Sequence, residues 1–418
     1  MRLIVRQIKQ LRNGKMSKIG LGINTLEAAL ERLNWTFDTF DRVYLSFSAG
    51  KDSTVMLHLA AQVAREKGRK FGCLLVDLEG QYKLTIQHAL DCFEMHKDVI
   101  EPYWVCLPIA LRNAVSVYEP KWECWSPEAE HNWIRQPPEI AITDSDYFGD
   151  YFIPGMEFEE FVPLFGEWYS QGKETACLVG IRSDESLNRF RTIASTKKTT
   201  KDGRQYTTKV TDNVFNVYPV YDWTVQDVWT YTARFPENPM NPLYEQMHKA
   251  GVPLGLMRIC QPYGDDQRRG LWLFHLIEPE TWCKVVSRVS GANGGALYVQ
   301  ENGNINGYHK IERPEGHTWE SFARMFLESL PPKTKEHYEN KILLFCRWWE
   351  ERGYPDGIPD EAELNLEMKR DVPSWRRVCK TLLRNDYWCK GLGFTQHKSA
   401  AYEKYLDLMR RRKKEWAA

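Results

Sequence analysis

Between Arg42 and Ala64 the chain passes from an apolar strand to a helix through the turn Ser48-Ala49-Gly50-Lys51-Asp52-Ser53. The strand is Arg42-Val43-Tyr44-Leu45-Ser46-Phe47, and Val55, Met56, Leu57, Leu59, Ala60, Val63 and Ala64 give the helix a broad apolar face. Small residues in the turn let the backbone come close to a ligand. Backbone N–H groups at a helix N-terminus then offer a site for phosphate oxygens. Ser48 and Ser53 add hydroxyl donors, and Lys51 adds a point charge. A plain capped turn would explain Asp52 and Ser53 but not the whole cluster. The turn is not a Walker A loop. That pattern needs Gly where Leu45 stands, and Ser or Thr where Asp52 follows the Lys.

The same strand–helix rhythm continues. Phe71 to Asp77 is an almost unbroken apolar run, as expected of a buried parallel strand. Helical spacing is read at 25–35 and 82–96, a strand at 99–107, a Trp- and Pro-rich insertion at about 113–160 and a helix near 157–171. Another apolar strand follows at 176–181. Residues 195–211 are polar and basic and read as a mobile loop or short hairpin. An edge strand is expected at 216–220, then a helix from Trp223 with Thr224 as N-cap. This alternation predicts an α/β fold: a parallel twisted sheet with helices on both faces. Gly- and Asn-rich stretches around 290–307 mark a boundary. Helices are expected beyond it at 318–330, 333–352, 360–369, 373–386 and 399–415. The expected organisation is a basic arm (1–24), a nucleotide-binding domain (25–289), a linker (290–306) and a mainly helical domain (307–418).

Formal charge balances at 56 basic against 56 acidic residues, which excludes a generally cationic nucleic-acid coat. The balance is uneven, however. Residues 307–418 carry 22 Lys and Arg against 18 Asp and Glu and end in the run Arg410 to Lys414. Aromatics at 13% exclude global disorder. No run approaches the ~18–20 apolar residues of a membrane span, and the N-terminus lacks an apolar signal core, so a cytoplasmic protein is expected. Ten scattered Cys without a C-x-x-C pair read as buried thiols.

The turn at 48–53 resembles the PP-loop, S-G-G-x-D-S, of the ATP pyrophosphatase superfamily. In that superfamily the loop holds the β,γ-pyrophosphate of ATP and cleavage falls between the α and β phosphates. Ala49 replaces the first loop Gly, which leads to the expectation that Ala49 sits at negative φ. Further stretches are similar to the phosphoadenylylsulfate (PAPS) reductase branch. They are Gly180-Ile181-Arg182-Ser183-Asp184-Glu185-Ser186, then Pro219 to Trp229, then Asn241-Pro242-Leu243-Tyr244. The resemblance covers about residues 25–260. It implies an adenine nucleotide α-hydrolase-like fold with ATP and Mg as cofactors. The binding residues implied are Ser46, Ser48, Ala49, Gly50, Lys51, Asp52, Ser53, Asp77, Glu79, Gly180, Arg182, Glu185, Arg189 and Arg191. Lys51, Asp52 and Arg182 would carry the chemistry, with Asp52 also placing the metal. Arg182 could instead form a strand-end ion pair with Glu185, Asp77 and Glu79 could be turn carboxylates, and Trp223 and Trp229 read as core.

Thiol-dependent PAPS reduction is not expected, because no Cys follows Cys389 in the position such reductases use. Residues 259–269, 278–282, 288–293 and 385–394 resemble an IbrA-like subgroup (immunoglobulin-binding regulator), which adds a C-terminal domain of unknown function. Its members are described as prophage co-activators encoded beside a ParB-like, IbrB-like partner. The reading is therefore an adenylyl transferase that releases pyrophosphate from ATP. The alternative is a non-catalytic ATP-sensing regulatory or phage-defence subunit, with a ParB-like partner or nucleic acid on the basic arm and C-terminal helices. A third reading, an ATP sulfurylase small subunit or flavin-adenylyl transferase, shares the loop, and the 113–160 insertion and the added C-terminal domain argue against it. In the catalytic reading, Lys197, Lys198, Lys201 and Arg204 of the 195–211 loop close over the phosphates, and Cys260 is either a nucleophile or a buried thiol.

Overall fold

Six strands hydrogen-bond in the order β3-β2-β1-β6-β8-β7. They are β1 (Arg42–Ser46), β2 (Phe71–Val76), β3 (Ile100–Val105), β6 (Thr175–Val179), β7 (Thr207–Lys209) and β8 (Val214–Val217). All pairings are parallel except β7 with β8. A separate antiparallel pair, β4 (Ile109–Arg112) and β5 (Lys121–Cys124), lies within the insertion. This arrangement comes from a computed structural model that describes residues 22–116, 119–259, 271–292, 311–395 and 398–416. Residues 1–21 of the basic arm, the 260–269 stretch with Cys260, and most of the 290–306 linker lie outside the described residues. So do the side chains of Lys413 and Lys414.

The central strands are buried on both faces, which explains their continuous apolar sequences. Helix α1 (Thr25–Thr39) starts in a capping box between Asn24 and Glu27. Helices α2 (Lys51–Glu66), α3 (Lys83–Met95), α4 (Phe158–Ser170), α5 (Leu187–Ala194) and α6 (Val225–Arg234) connect or flank the strands. Thr224 caps α6 through a reciprocal pair with Asp227. The chain then continues as α7 (Leu243–Lys249), α8 (Leu271–Ile277) and α9 (Pro279–Arg288). Trp223 is buried and donates its indole N–H to the Thr25 carbonyl at 3.0 Å, and Trp229 packs edge-on against Tyr244, so both serve the core.

Two expectations about the sheet change. The 216–220 strand is β8, and it lies inside the sheet, because residues 207–209 fold back as β7 and take the edge. The 195–211 segment is therefore partly a hairpin, one of its two expected forms, and Lys198, Lys201 and Arg204 are engaged locally. Lys198 Nζ donates to the carbonyls of Thr192, Ile193 and Gln205. Lys201 pairs with Glu174 at 2.6 Å, and the Arg204 guanidinium lies 4.4 Å from the Trp35 ring centre. These contacts hold the segment against the sheet edge rather than over the 48–53 turn.

The helical part contains α10 (Trp319–Glu328), α11 (Pro332–Glu350), α12 (Leu364–Lys369), α13 (Trp375–Leu383) and α14 (Ala400–Trp416). Helices α10, α11 and α13 build a second core around Trp319, Tyr338, Phe345, Val378 and Leu382. Helix α14 does not join it. Ala401 belongs to the α/β core, and Ser399, just before the helix, donates N–H and hydroxyl bonds to Glu160 at 2.7 and 2.5 Å. Arg412 pairs with Asp150. The second core also meets the insertion, where Lys121 Nζ sits 4.6 Å from the Trp388 ring centre and Arg112 donates to the Asn385 carbonyl. No helix among the described residues is long and apolar enough to cross a membrane.

Candidate phosphate-binding site

The strand order fixes where a ligand can sit. From β1 the chain builds outward to β2 and β3, then crosses to β6 on the other side of β1. Connections leaving β1 and β6 therefore diverge, and open α/β sheets bind ligands in the crevice at such a switch point. The two connections here are residues 47–50 and 180–186. Both sequence motifs lie on them, and Ser46 pairs in register with Val179.

The first turn of α2 has no side-chain cap from Gly50. The turn is braced internally instead. Ser53 Oγ donates to the Gly50 carbonyl at 3.1 Å, accepts the Ser48 N–H at 3.2 Å and lies 3.0 Å from Ser48 Oγ. It is also braced from behind. The Asn241 side-chain amide donates to the Ala49 carbonyl at 3.0 Å, and the Lys51 N–H donates to Tyr244 Oη at 2.8 Å. The N-P-L-Y stretch thus shapes the loop. Ala49 stands at φ +55°, which corrects the expectation of negative φ. The loop keeps the left-handed geometry that favours glycine, at a cost of about 1–2 kcal/mol for an L-residue.

Gly180 allows the second connection to close on the first. A Cβ there would lie 3.1 Å from the backbone C and O of Asp52 and from Ser53 N. Arg182, only 3% exposed, reaches across and donates Nε–H to Asp52 Oδ1 at 2.5 Å. Its other end pairs with Asp184. Lys51 Nζ stands 3.2 Å from Asp52 Oδ2 and 3.2 Å from the Met257 carbonyl. The Arg182 partners are therefore Asp52 and Asp184, and Glu185 instead pairs with Arg189 at 2.9 Å. Arg189 is half exposed and Arg191 fully exposed on α5, so the structure does not bring them into the Lys51–Asp52–Arg182 group. Lys51, Asp52 and Arg182 form a largely buried group, Asp184 extends it to the surface, and the two cations and two carboxylates balance in charge.

Asp77 and Glu79 follow β2 but turn the other way. Asp77 accepts the Trp104 indole N–H at 2.8 Å and the Glu79 N–H at 3.0 Å, and pairs with Arg135. Glu79 is wholly buried. It accepts from the backbone N–H of Trp125 and Ile134 at 2.9 and 3.0 Å, and from Arg288 at 3.0 and 3.2 Å. Both oxygens are occupied by donors from the insertion and α9. These are the turn carboxylates of the alternative reading, and they fasten the insertion. Between the ends of β1 and β2 a cavity of about 160 Å³ remains, with Ser46, Ser48, Ala49, Gln81 and Thr85 in its wall.

Sequence reasoning missed a hydrogen-bonded histidine chain behind the loop. His58 Nε2 lies 3.1 Å from the Pro239 carbonyl and must donate to it, so His58 Nδ1 accepts from His96 Nε2–H at 2.9 Å. His96 Nδ1 then accepts from Arg65 at 3.1 Å. Nearby, His88 pairs with Thr54 at 3.1 Å. Burial, with the neighbouring His58 adding to it, lowers the pKa of His88 and of His96 to about 4, and Arg65 adds further to His96. Both rings are neutral near pH 7. The chain supports the backbone two residues before Asn241, but nothing in its sequence spacing announces it. Asp184 was also passed over, lying within its motif at a position the pattern leaves free.

The chain is 46% identical over 402 residues to the uncharacterized protein YbdN of Escherichia coli strain K12, covering 96% of this chain and 97% of YbdN. The chain belongs to the YbdN family. Within it, residues 162–263 match the phosphoadenosine phosphosulfate reductase domain, which spans β6, Arg182 and the Asn241–Tyr244 brace. Residues 251–355 and 354–403 match a domain of unknown function, DUF3440. Among solved structures, a PAPS reductase from Candida auris in a phosphate complex aligns at 15% identity and TM-score 0.32, covering 60% of this chain and 99% of that one. An FMN adenylyltransferase from Candida glabrata, in complex with FMN and an ATP analogue, aligns at 14% identity and TM-score 0.30 over 53% of this chain and 59% of that one. This YbdN-family chain has a PAPS reductase-like α/β nucleotide-binding fold with a helical C-terminal part. Among its described residues no group of three or more His, Cys, Asp or Glu side chains could hold a metal ion.

Proposed function

We propose that the chain binds ATP with its β,γ-phosphates on residues 48–53 and transfers the adenylyl group to an acceptor oxygen, releasing pyrophosphate. The observation that carries this reading is the buried contact between two connections at the switch point. Arg182 and Lys51 converge on Asp52 beside the uncapped first turn of α2. The 160 Å³ cavity beside the loop is of a size and character to take the base.

The residues present suit Mg²⁺ carried by the nucleotide rather than a metal held by protein alone. Mg²⁺ commonly uses one or two carboxylates plus substrate phosphates, and Asp52, with Asp184 on the far side of Arg182, meets that need. Bound there, the ion would neutralise phosphate charge. Lys51 and Arg182, released from Asp52, turn to the phosphate oxygens and stabilise the charge that builds as pyrophosphate leaves. The Ser48 and Ser53 hydroxyls and the N–H groups of Asp52 and Ser53 orient the leaving group. In the transfer, the acceptor oxygen forms a bond to the α-phosphorus as the bond from that phosphorus to the α,β-bridging oxygen breaks. The acceptor proton leaves to solvent.

The test is pyrophosphate release from Mg-ATP with the full chain, in the presence of a cell extract as acceptor source. Wild type is expected to release pyrophosphate, and Lys51→Ala and Arg182→Ala to lose it at least tenfold. Release of ADP and phosphate instead, or release by either variant equal to that of wild type, would overturn the reading. Tight ATP binding without turnover would favour the sensing alternative.

A further inference from the structure

A second cleft lies outside the nucleotide fold, between α12, α13 and the 386–391 turn, with a volume of about 490 Å³. That is within the range of small-molecule sites. Its charge is one-sided. Arg377, Lys380 and Arg384 recur along one face of α13, and Arg370 faces them from the end of α12. The two carboxylates in the wall are already occupied. Glu367 accepts from Ser374 at 2.5 Å and from Arg376 at 2.9 Å, and Asp386 accepts the Gly391 N–H at 2.7 Å.

The remaining cations outnumber these acids, and Glu367 offsets the charge of Arg377 and Lys380 only in part. Among the described residues no ion pair forms at Arg370, Lys380 or Arg384. Elsewhere in the helical part Arg324 and Lys335 each sit 2.7 Å from a glutamate. Arg377 is 7% exposed and held by the carbonyls of Val372 and Gly391 with its guanidinium 5.4 Å from the Phe345 ring centre. It is a buried positive charge held by carbonyl dipoles, and among the described residues no carboxylate forms an ion pair with it. Burial lowers the pKa of Arg377, opposed by Glu367, with Arg370 adding to the lowering. Burial likewise lowers the pKa of Lys380, opposed by Glu367 and Glu361, with Arg376 and Arg384 adding to the lowering. The charge is concentrated, because the chain as a whole is neutral. The rim is apolar. Leu364 and Met368 are 56% and 82% exposed, and a thioether side chain adapts to flat or irregular groups.

We propose that this cleft binds the phosphates of nucleotide units, with Lys380, Arg384 and Arg370 on the oxygens, Arg377 as the fixed charge beneath them, and Leu364 and Met368 against the sugar or base. The charge excess selects oxyanions. The row of cations along α13 covers about 10 Å from Arg377 to Arg384 at the helical rise, which suits more than one phosphate. The apolar rim selects a nucleotide over a bare ion. The ligand is either a single strand of nucleic acid or a free nucleotide, and both present the same chemistry. The site is separate from the 48–53 loop and does not depend on ATP binding there.

The test uses the full chain and a fluorescein-labelled oligodeoxythymidine followed by anisotropy across a salt series, with free thymidine diphosphate as a second ligand followed by calorimetry. The variant Lys380→Gln/Arg384→Gln changes one exposed and one half-buried side chain, and Arg370→Gln changes a third, exposed one. Circular dichroism checks each fold. If a strand is the ligand, wild type binds the oligonucleotide, and the double variant binds about tenfold more weakly. The slope of log affinity against log salt then falls by about 1.4, for two contacts at about 0.7 each. If a free nucleotide is the ligand, thymidine diphosphate binds, the oligonucleotide does not, and the variants lose the diphosphate. Oligonucleotide or diphosphate affinity unchanged in folded variants, or no binding of either by wild type at low salt, would overturn the proposal.

Discussion

Replacing Gly180 by Ala tests whether the two connections must touch for the loop to work. Gly180 does not have positive φ, so alanine suits its backbone and only the close approach is disturbed. The new Cβ would lie 3.1 Å from three backbone atoms of Asp52 and Ser53, inside ordinary van der Waals contact. Those atoms belong to the first turn of a 16-residue helix and cannot yield as a side-chain tip would. Strain of this kind costs about 1–3 kcal/mol. If it is relieved by shifting residues 51–53 away from Arg182, the loss falls on ligand binding. At 1.36 kcal/mol per factor of ten, Mg-ATP affinity should drop by roughly five- to 150-fold. Gly50→Ala gives an internal comparison. Its Cβ would meet the Ser48 hydroxyl at 3.3 Å and the Tyr244 hydroxyl at 3.5 Å, both side-chain ends that can move. Its effect should stay below about threefold, since contacts of that length cost well under 1 kcal/mol. Calorimetric ATP titration of both variants, with a thermal melt of each, is the assay. Equal affinities for Gly180→Ala and wild type in a folded protein would refute the argument, as would a larger loss for Gly50→Ala.

Other predictions follow from the same geometry. Ala49→Gly should stabilise the fold by about 1 kcal/mol, because it removes the left-handed penalty at φ +55°; a lower urea midpoint would contradict this. Glu79→Gln should destabilise by about 3–5 kcal/mol, because it leaves the Arg288 charge buried without its counter-ion; an unchanged urea midpoint would count against that clamp. Folding stability should fall as pH drops. His88 and His96 have folded pKa values near 4, against 6.5 unfolded, so the unfolded chain binds more protons between those limits. The loss begins below pH 6.5, reaches about 3 kcal/mol per ring and is complete below about pH 4. Melts from pH 7 to 4.5 should show the slope, and His88→Gln should make it shallower.

The sheet, its helices and the Thr224 cap were legible because each is set by local rules of apolar period and capping. The placement of the 48–53 and 180–186 segments at one crevice was also legible, since both follow apolar strands. The partners of charges were not. The acid that sequence offers Arg182 as an alternative partner is Glu185, three residues on, yet Arg182 reaches Asp52, which is distant in sequence and adjacent only because β1 and β6 are neighbours. The edge strand was misplaced for a similar reason. The short β7 has too few residues to show a period, and it decides which strand is outermost. The histidine chain joins positions on α2 and just after α3 to the Pro239 carbonyl, and no linear spacing encodes that.

The fate of Asp77 and Glu79 has a consequence for how the site is built. A carboxylate at the end of a parallel strand is well placed to meet a ligand, but burying it without a partner is costly. Here the 113–160 insertion supplies the partners. Trp125, Ile134 and Arg135 wrap over the end of β2, and Arg288 completes the Glu79 shell from α9. The insertion is therefore held by the same strand end that borders the cavity, and α9 lies just before the helical part begins. A change that loosens this clamp should reach the cavity through Asp77, which lies in its wall, before it reaches the Lys51–Arg182 group on the other side of β1. Glu79→Gln should thus weaken ATP binding less than Gly180→Ala, although it costs more in stability. The opposite order would mean that the clamp, and not the contact between connections, sets the shape of the phosphate loop.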